Sequence, residues 1–253
     1  TLETGVLVIG GGAAGLRAAL AAAEAGADVL LVNKGPIARS GITLAAAGGM
    51  QAPFHSDDSA EQYFQDTLRC GYDLGDPNLA RLLAEGACRA VTDLERFGAK
   101  FVRRDDGQYS LGKFPGQSHP RNLFVKGGGI GMAAALAKAC KARDNIRMID
   151  DFFVTGLVQG TSAGSRAVAG AMGIRLHTGE VTMIRARSVV LATGGCQWLW
   201  EVNDCPTDAT GEGLMAAFRA GATLVDMEMV LFYPSVIVWP PSLKGAFVHY
   251  EFL

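Results

Sequence analysis

Residues 10–15 read Gly10-Gly11-Gly12-Ala13-Ala14-Gly15, a G-x-G-x-x-G pattern placed after an apolar run and before an Ala/Leu-rich stretch. In that context each glycine has a task. The first permits a tight turn, Gly12 lets a pyrophosphate approach the backbone, and Gly15 allows a helix to lie close to a strand. A helix starting here would offer unpaired N–H groups and a partial positive charge to phosphates. The chemistry this implies is dinucleotide binding.

The next candidates decide which dinucleotide. A nicotinamide or typical FAD site places Asp or Glu at the end of the second strand to hold the ribose hydroxyls. Here that position reads Val32-Asn33-Lys34, and the nearest acid, Asp28, sits at the wrong end of the strand. Asn33 can still hydrogen-bond a ribose; Lys34 either contacts phosphate or is a surface charge. Far downstream, residues 188–195 (Ser-Val-Val-Leu-Ala-Thr-Gly-Gly) read as an apolar buried strand ending in a small-residue turn. Taken with the first loop, this second turn favours FAD, a cofactor long enough to need two contact regions.

The elements that must position these residues follow from apolar periodicity and turn chemistry. Residues 5–10 predict a buried parallel strand, 13–25 a helix stopped by Gly26, and 28–32 a second strand, the length of a βαβ unit. Residues 33–53 lack helical or strand period and read as a ligand-wrapping or mobile loop. Helices are predicted at 57–71 and 76–97, the latter with Leu79, Leu82, Leu83, Val91 and Leu94 at helical spacing. A hairpin is expected at 101–111, a helix at 129–143 and a strand at 146–149. Residues 154–159, 167–176 and 180–184 predict an antiparallel meander. A strand at 188–192, a helix at 213–220 and an apolar strand at 223–232 complete the pattern, with Pro234, Pro240 and Pro241 ending regular structure.

Composition narrows the function classes. The 253 residues are 49 % hydrophobic and 19 % charged, with a net charge of −2. A sizeable core is therefore attainable, and there is no electrostatic case for nucleic acid or an anionic membrane. Cys70, Cys88, Cys140, Cys196 and Cys205 form no C-x-x-C pair, so neither a zinc nor an iron–sulfur site is predicted, and reduced intracellular thiols are expected. No apolar run reaches the ~20 residues of a transmembrane helix, and no signal peptide is visible. A cytoplasmic setting is the expectation. The apolar stop at 248–253 predicts that the sequence is a fragment of a longer protein.

Other side chains carry two readings each. His119 and Arg121 form either a carboxylate-binding pair near a flavin or a solvated loop. His55 and His177 read as surface residues. Cys196 is either near the cofactor or a small buried thiol, and Trp198 and Trp200 either fill a core or cover an edge. Asp226 and Glu228 are expected to hold the turn at a buried strand end.

The Gly10–Gly15 loop, Asn33-Lys34, Arg39-Ser40 with Gly48-Gly49, Ala192–Gly195, Thr210-Gly211-Glu212-Gly213 and Asp226-Met227-Glu228 occur in one order. That order resembles the flavoprotein subunits of succinate dehydrogenase and fumarate reductase, including L-aspartate oxidase. Gly116-Gln117-Ser118-His119-Pro120-Arg121 is similar to a stretch of L-aspartate oxidase in particular. The resemblance runs from Val6 to about Pro234. It implies a flavin-facing loop at 40–49, including Ser40, Gly41, Thr43, Gly48 and Gly49. It also implies FAD contacts from Ala13, Ala14, Asn33, Lys34, Phe153, Val154 and Glu212, beside Gly10, Gly12, Gly15, Ala192, Thr193 and Gly194. In this family the reduced flavin N5 delivers hydride to the β-carbon of an unsaturated dicarboxylate, or the reverse.

Four departures qualify the match. Gly41-Ile42 stands where membrane-bound relatives carry a flavin-linked histidine, which predicts non-covalent FAD. Tyr233-Pro234-Ser235 replaces a substrate histidine followed by Pro-Thr-Gly. His249-Tyr250-Glu251 does not match the family's Thr-Glu-Gly, and the family's proton-donating arginine lies past Leu253. A neutral tyrosine withholds the cationic partner that a carboxylate prefers, which argues against fumarate, succinate and aspartate as substrates.

The combined expectation is an α/β protein: a Rossmann-like FAD-binding domain with a parallel sheet, inserted helices and an antiparallel β-meander. The two-part FAD domain would span 1–235, with a helical insertion at about 54–143 and the start of a truncated capping domain at 236–253. Its function would be the FAD-binding portion of an oxidoreductase, the fragment alone lacking turnover. The implied partners are a small-molecule dicarboxylate and an iron–sulfur electron-transfer subunit, the latter able to hold the protein at the inner face of a membrane. The alternatives are a flavin subunit passing electrons to such a partner without a substrate site, and a nicotinamide dehydrogenase. Tyr233, His119 and Arg121 are the catalytic candidates.

Overall fold

The computed structural model describes residues 1–162, 165–232, 236–244 and 246. The chain begins β1 (Leu2–Ile9), α1 (Ala13–Glu24), β2 (Val29–Val32), α2 (Ile42–Ala45) and β3 (Gly49–Gln51). It continues α3 (Ala60–Cys70), α4 (Pro77–Arg96), β4 (Asn122–Phe124), α5 (Gly128–Lys141) and β5 (Ile146–Ile149). Three long strands follow, β6 (Phe152–Ser162), β7 (Ser165–Arg175) and β8 (Val181–Leu191), and then α6 (Glu212–Arg219). Two compact units result, one of residues 1–45 with 140–253 and one of residues 46–139.

The first unit is built on a six-stranded sheet of order β5-β2-β1-β8-β7-β6. The β5, β2, β1 and β8 ladders are parallel, while β8-β7 and β7-β6 are antiparallel. Continuous apolar runs make the central strands: Leu7, Val8, Ile9 and all of β2 are buried, as expected where both faces of a parallel sheet are covered. One core cluster joins Leu7, Ile9, Leu30 and Val32 to Phe152, Ala171 and Ile184. Helix α1 contributes Leu16, Ala19 and Leu20, all fully buried. After its C-cap, Gly26 turns the chain with a φ of +83°, a conformation that costs other residues energy.

Strand β8 differs from the prediction. The expected meander strand at 180–184 and buried strand at 188–192 are one continuous element. Its first half pairs antiparallel with β7, from Val181 opposite Ile174 to Arg185 opposite Gly170. From Ile184 onward it runs parallel to β1, ending at Leu191 beside Ile9. Nor is its end buried: Ser188 and Leu191 are exposed, and Val189 and Val190 only half-buried. An apolar run has the same composition whether it faces protein or a ligand cavity, so sequence could not separate the two.

The predicted strand at 223–232 is absent. The segment joins neither edge strand, β5 nor β6, and Asp226 takes a left-handed φ of 55°. Val225, Met227, Met229, Leu231 and Phe232 are exposed, so Asp226 and Glu228 do not sit at a buried strand end. Residues 33–53 also contain more structure than expected, namely α2 and β3.

The second unit packs α3, α4 and the two-stranded β3–β4 ribbon. Ser59 caps α3 by accepting the Gln62 N–H at 3.1 Å, and Asp76 caps α4, whose first residue is Pro77. The buried stripe of α4 is Ala84, Ala87, Val91 and Leu94. Leu79, Leu82 and Leu83, expected on the same stripe, are more than half exposed. Helical spacing alone does not say how far along a helix its apolar face is covered. The hairpin expected at 101–111 is reduced to a bridge of Arg103 with Tyr109, its turn closed by the Gly107 N–H on Arg104 O.

Candidate functional site

The carboxyl ends of β1, β2 and β8 converge in the first unit, where an open α/β sheet presents its binding crevice. Ile9, Val32 and Leu191, the last residues of those strands, line a cavity of about 340 Å³. The glycine loop forms one wall. Gly10 holds a φ of +115°, and a Cβ there would lie 2.1 Å from Ala192 O. A Cβ on Gly15 would lie 1.8 Å from Gly10 O, so close backbone approach, rather than contact with a ligand, demands this glycine. Gly12 is the N-cap of α1 and offers no side-chain cap, which leaves the first-turn amides to other acceptors. The Ala13 N–H meets Thr43 Oγ1 at 3.0 Å.

Asn33 braces this loop from the end of β2. Its Oδ1 accepts the Gly11 N–H at 2.8 Å, and its Nδ2 donates to Gly35 O and Ser40 Oγ, each at 2.9 Å. Ser40 in turn donates to Pro36 O at 2.9 Å. The Asn33 side chain is thus held by the protein, and what it retains for a ribose is the second lone pair of Oδ1. Lys34 is likewise paired: its Nζ forms an ion pair with Glu212 and lies 3.0 Å from Thr210 Oγ1. Burial opposes ionisation of Glu212, but hydrogen bonds from Lys34 and Thr210 outweigh it and hold the carboxyl below its ordinary pKa.

The structure brings Gly10, Gly12, Ala13, Ala14, Asn33, Lys34, Ser40, Gly41, Thr43, Phe153, Val154, Ala192, Thr193, Gly194 and Glu212 to this one cavity. Sequence reasoning missed Phe152, Asp208, Ala209 and Gly213, which also line it. The repeated Gly in Thr210-Gly211-Glu212-Gly213 was a usable signal for the last. A Cβ on Gly213 would lie 1.8 Å from Thr193 Oγ1, so α6 must lie against the second small-residue turn. Cys196 stands outside the lining and is half-buried, and Trp198, 46 % exposed, donates its Nε1–H to Cys205 O at 2.9 Å.

The remaining candidates lie elsewhere. Gly48 and Gly49 belong to the second unit, where a Cβ on Gly48 would lie 2.5 Å from the Gly128 carbonyl carbon. His119 stacks on His55 with ring centroids 5.8 Å apart. Arg121 is neither solvated nor free to take a substrate carboxylate. Its side chain is fully buried, with Nε and Nη2 on Asp58 at 2.7 and 2.8 Å and Nη1 on Asp66 at 2.6 Å. Its role here is an internal ion triad. Tyr233 lies outside the described residues.

A glycine-braced strand–turn–helix at the carboxyl edge of a parallel sheet, with a second small-residue turn on the same cavity, defines a dinucleotide-binding α/β protein. Residues 5–249 match the FAD binding domain family, and the chain belongs to that family. It is 38 % identical over 251 residues to a subunit of the CoM/CoB fumarate reductase of Methanothermobacter marburgensis, covering 97 % of this chain and 45 % of that protein. It is 34 % identical to L-aspartate oxidase of Vibrio cholerae, with coverages of 94 % and 45 %. The Mycobacterium smegmatis Sdh1 complex in the apo form superposes with a TM-score of 0.91 at 34 % identity, over 98 % of this chain and 44 % of that one. The chain therefore spans under half the length of the relatives it matches. FAD is its cofactor. Among the described residues no helix is long and apolar enough to cross a membrane.

Proposed function

We propose that this chain is the FAD-binding part of a flavin-dependent oxidoreductase that moves hydride between its cofactor and an unsaturated dicarboxylate or the reduced form of one. The supporting observation is the single cavity lined by two segments far apart in sequence, Gly10–Ala14 and Ala192–Gly194, in a chain related to an L-aspartate oxidase and to part of a fumarate reductase. When bound, FAD supplies the hydride chemistry, and the protein supplies binding and orientation. The first-turn amides of α1 beyond Ala13, whose N–H meets Thr43 Oγ1, suit the pyrophosphate, and Gly12 leaves room for it. Phe153, Val154 and the Ala192-Thr193-Gly194 turn hold the cofactor's length. Gly41 and Ile42 offer no nucleophile to the flavin, which favours a non-covalent cofactor. Residues 1–235 would form the FAD domain, with a helical insertion, and a capping domain would begin after it. An iron–sulfur subunit is the proposed electron partner, consistent with the subunit naming of the relatives.

The test is made on the full-length protein. Flavin absorbance bands are expected after purification or on addition of FAD, and acid precipitation should release all the flavin to the supernatant. Turnover with a dicarboxylate and an artificial electron donor or acceptor is expected; reaction with fumarate, succinate or aspartate would show that Tyr233 does not exclude them as the sequence suggested. A flavoprotein inert toward every dicarboxylate would replace this reading with an electron-transfer subunit lacking its own substrate site.

A further inference from the structure

Dinucleotide folds of this kind hold a ribose with a carboxylate at the end of the second strand. Asn33 occupies that position here, and its side chain is already engaged with Gly11, Gly35 and Ser40. Glu212 is engaged with Lys34 and Thr210. A different acid on the cavity wall has an oxygen to spare. Asp208 Oδ1 is buried and has no hydrogen-bond partner, an arrangement that is costly unless a donor arrives.

Its surroundings say which part of the cofactor that donor belongs to. Asp208 also borders a neighbouring hollow lined by Lys34 and Gly35, which follow the end of β2, and by Arg39, Ser40, Gly41 and Leu44 of the loop beyond them. Lys34 and Gly35, next to the end of β2, mark the side of the crevice where the fold places the ribose. The segment is held for the purpose: Ala209 N–H closes a turn on Pro206 O at 3.1 Å, and Trp198 N–H donates to Ala209 O at 3.0 Å.

We propose that Asp208 does the work of the missing strand-end carboxylate, accepting hydrogen bonds from the ribose hydroxyls of the adenosine half of FAD. The proposal rests on FAD as cofactor but not on any substrate.

The experiment uses full-length apoprotein and displacement of FAD, read by flavin fluorescence, with ADP and 2′,3′-dideoxy-ADP as competitors. The wild type should prefer ADP by about tenfold, the worth of one good charge-assisted hydrogen bond. D208A, which has no acceptor, should lose most of that preference and bind FAD correspondingly less tightly. Equal binding of the two nucleotides by the wild type would overturn the proposal without any variant. A preference that persists in D208A would overturn it as well. Failure of the wild type to take up FAD would overturn the cofactor assignment too, and so is distinguishable from loss of ribose discrimination alone.

Discussion

Asn33 Oδ1 accepts the Gly11 N–H at 2.8 Å, tying the end of β2 to the middle of the glycine loop. The same side chain reaches Gly35 and Ser40, so one amide organises three backbone segments around the cavity. An amide suits the task because it accepts and donates at once.

Replacing that amide should therefore be felt in two ways. N33A removes one acceptor and two donors at a half-buried site and is expected to lower stability by about 1–2 kcal/mol and weaken FAD binding. N33D keeps the acceptor for Gly11 but sets a carboxylate oxygen against Gly35 O, so it should not restore the wild type. Urea unfolding and flavin titration check both, and an N33D protein equal to wild type would refute the account.

Gly15 is required by packing. In G15A the new Cβ would fall 1.8 Å from Gly10 O, a backbone atom that cannot step aside without moving the loop. FAD uptake is expected to be lost. Gly86 provides the control: it is exposed within α4, and a Cβ there meets nothing within 4 Å. G86A should raise stability by about 0.5–1 kcal/mol, as helix propensity alone requires.

The Arg121 triad should dominate the stability of the second unit. R121M leaves the Asp58 carboxylate buried without its cation and Asp66 with Arg69 alone, a change expected to cost about 3–5 kcal/mol. R121K should not rescue it, because one ammonium cannot reproduce the fork that reaches both acids. The urea midpoint of each variant is the measurement.

Asp66 adds a pH dependence with a definite sign. Burial by itself would raise its pKa, but the Ser118 amide and hydroxyl, with Arg121 and Arg69, hold the carboxyl far below the usual range. A depressed native value means that the unfolded chain binds the proton more readily. The stabilisation is therefore complete above the unfolded value, near pH 4, and is lost as the pH falls further. Urea unfolding from pH 7 to 3 should show that loss in the wild type and a flatter profile in D66N.

Much of this protein was legible from local order. Gly10–Gly15 followed an apolar run and preceded an Ala/Leu-rich one, and that arrangement alone specified strand, turn, helix and a dinucleotide crevice. Those features are encoded within about 30 residues, by backbone sterics and apolar periodicity. Chain order and motif spacing likewise placed Ala192–Gly194 and Glu212 among the cofactor candidates. What sequence could not decide were the outcomes of competition between distant groups. Whether Asn33 serves a ribose or the loop depends on Gly11, Gly35 and Ser40 arriving at the same amide. Whether Arg121 meets a substrate depends on two acids, Asp58 and Asp66, folding onto it first. The fate of the apolar segment 223–232 turned on whether a sheet edge would take it, and none did. Propensity and spacing describe what a segment can do; only tertiary structure fixes which partners reach each hydrogen-bonding group, because groups far apart in sequence meet only when the chain folds and water is removed.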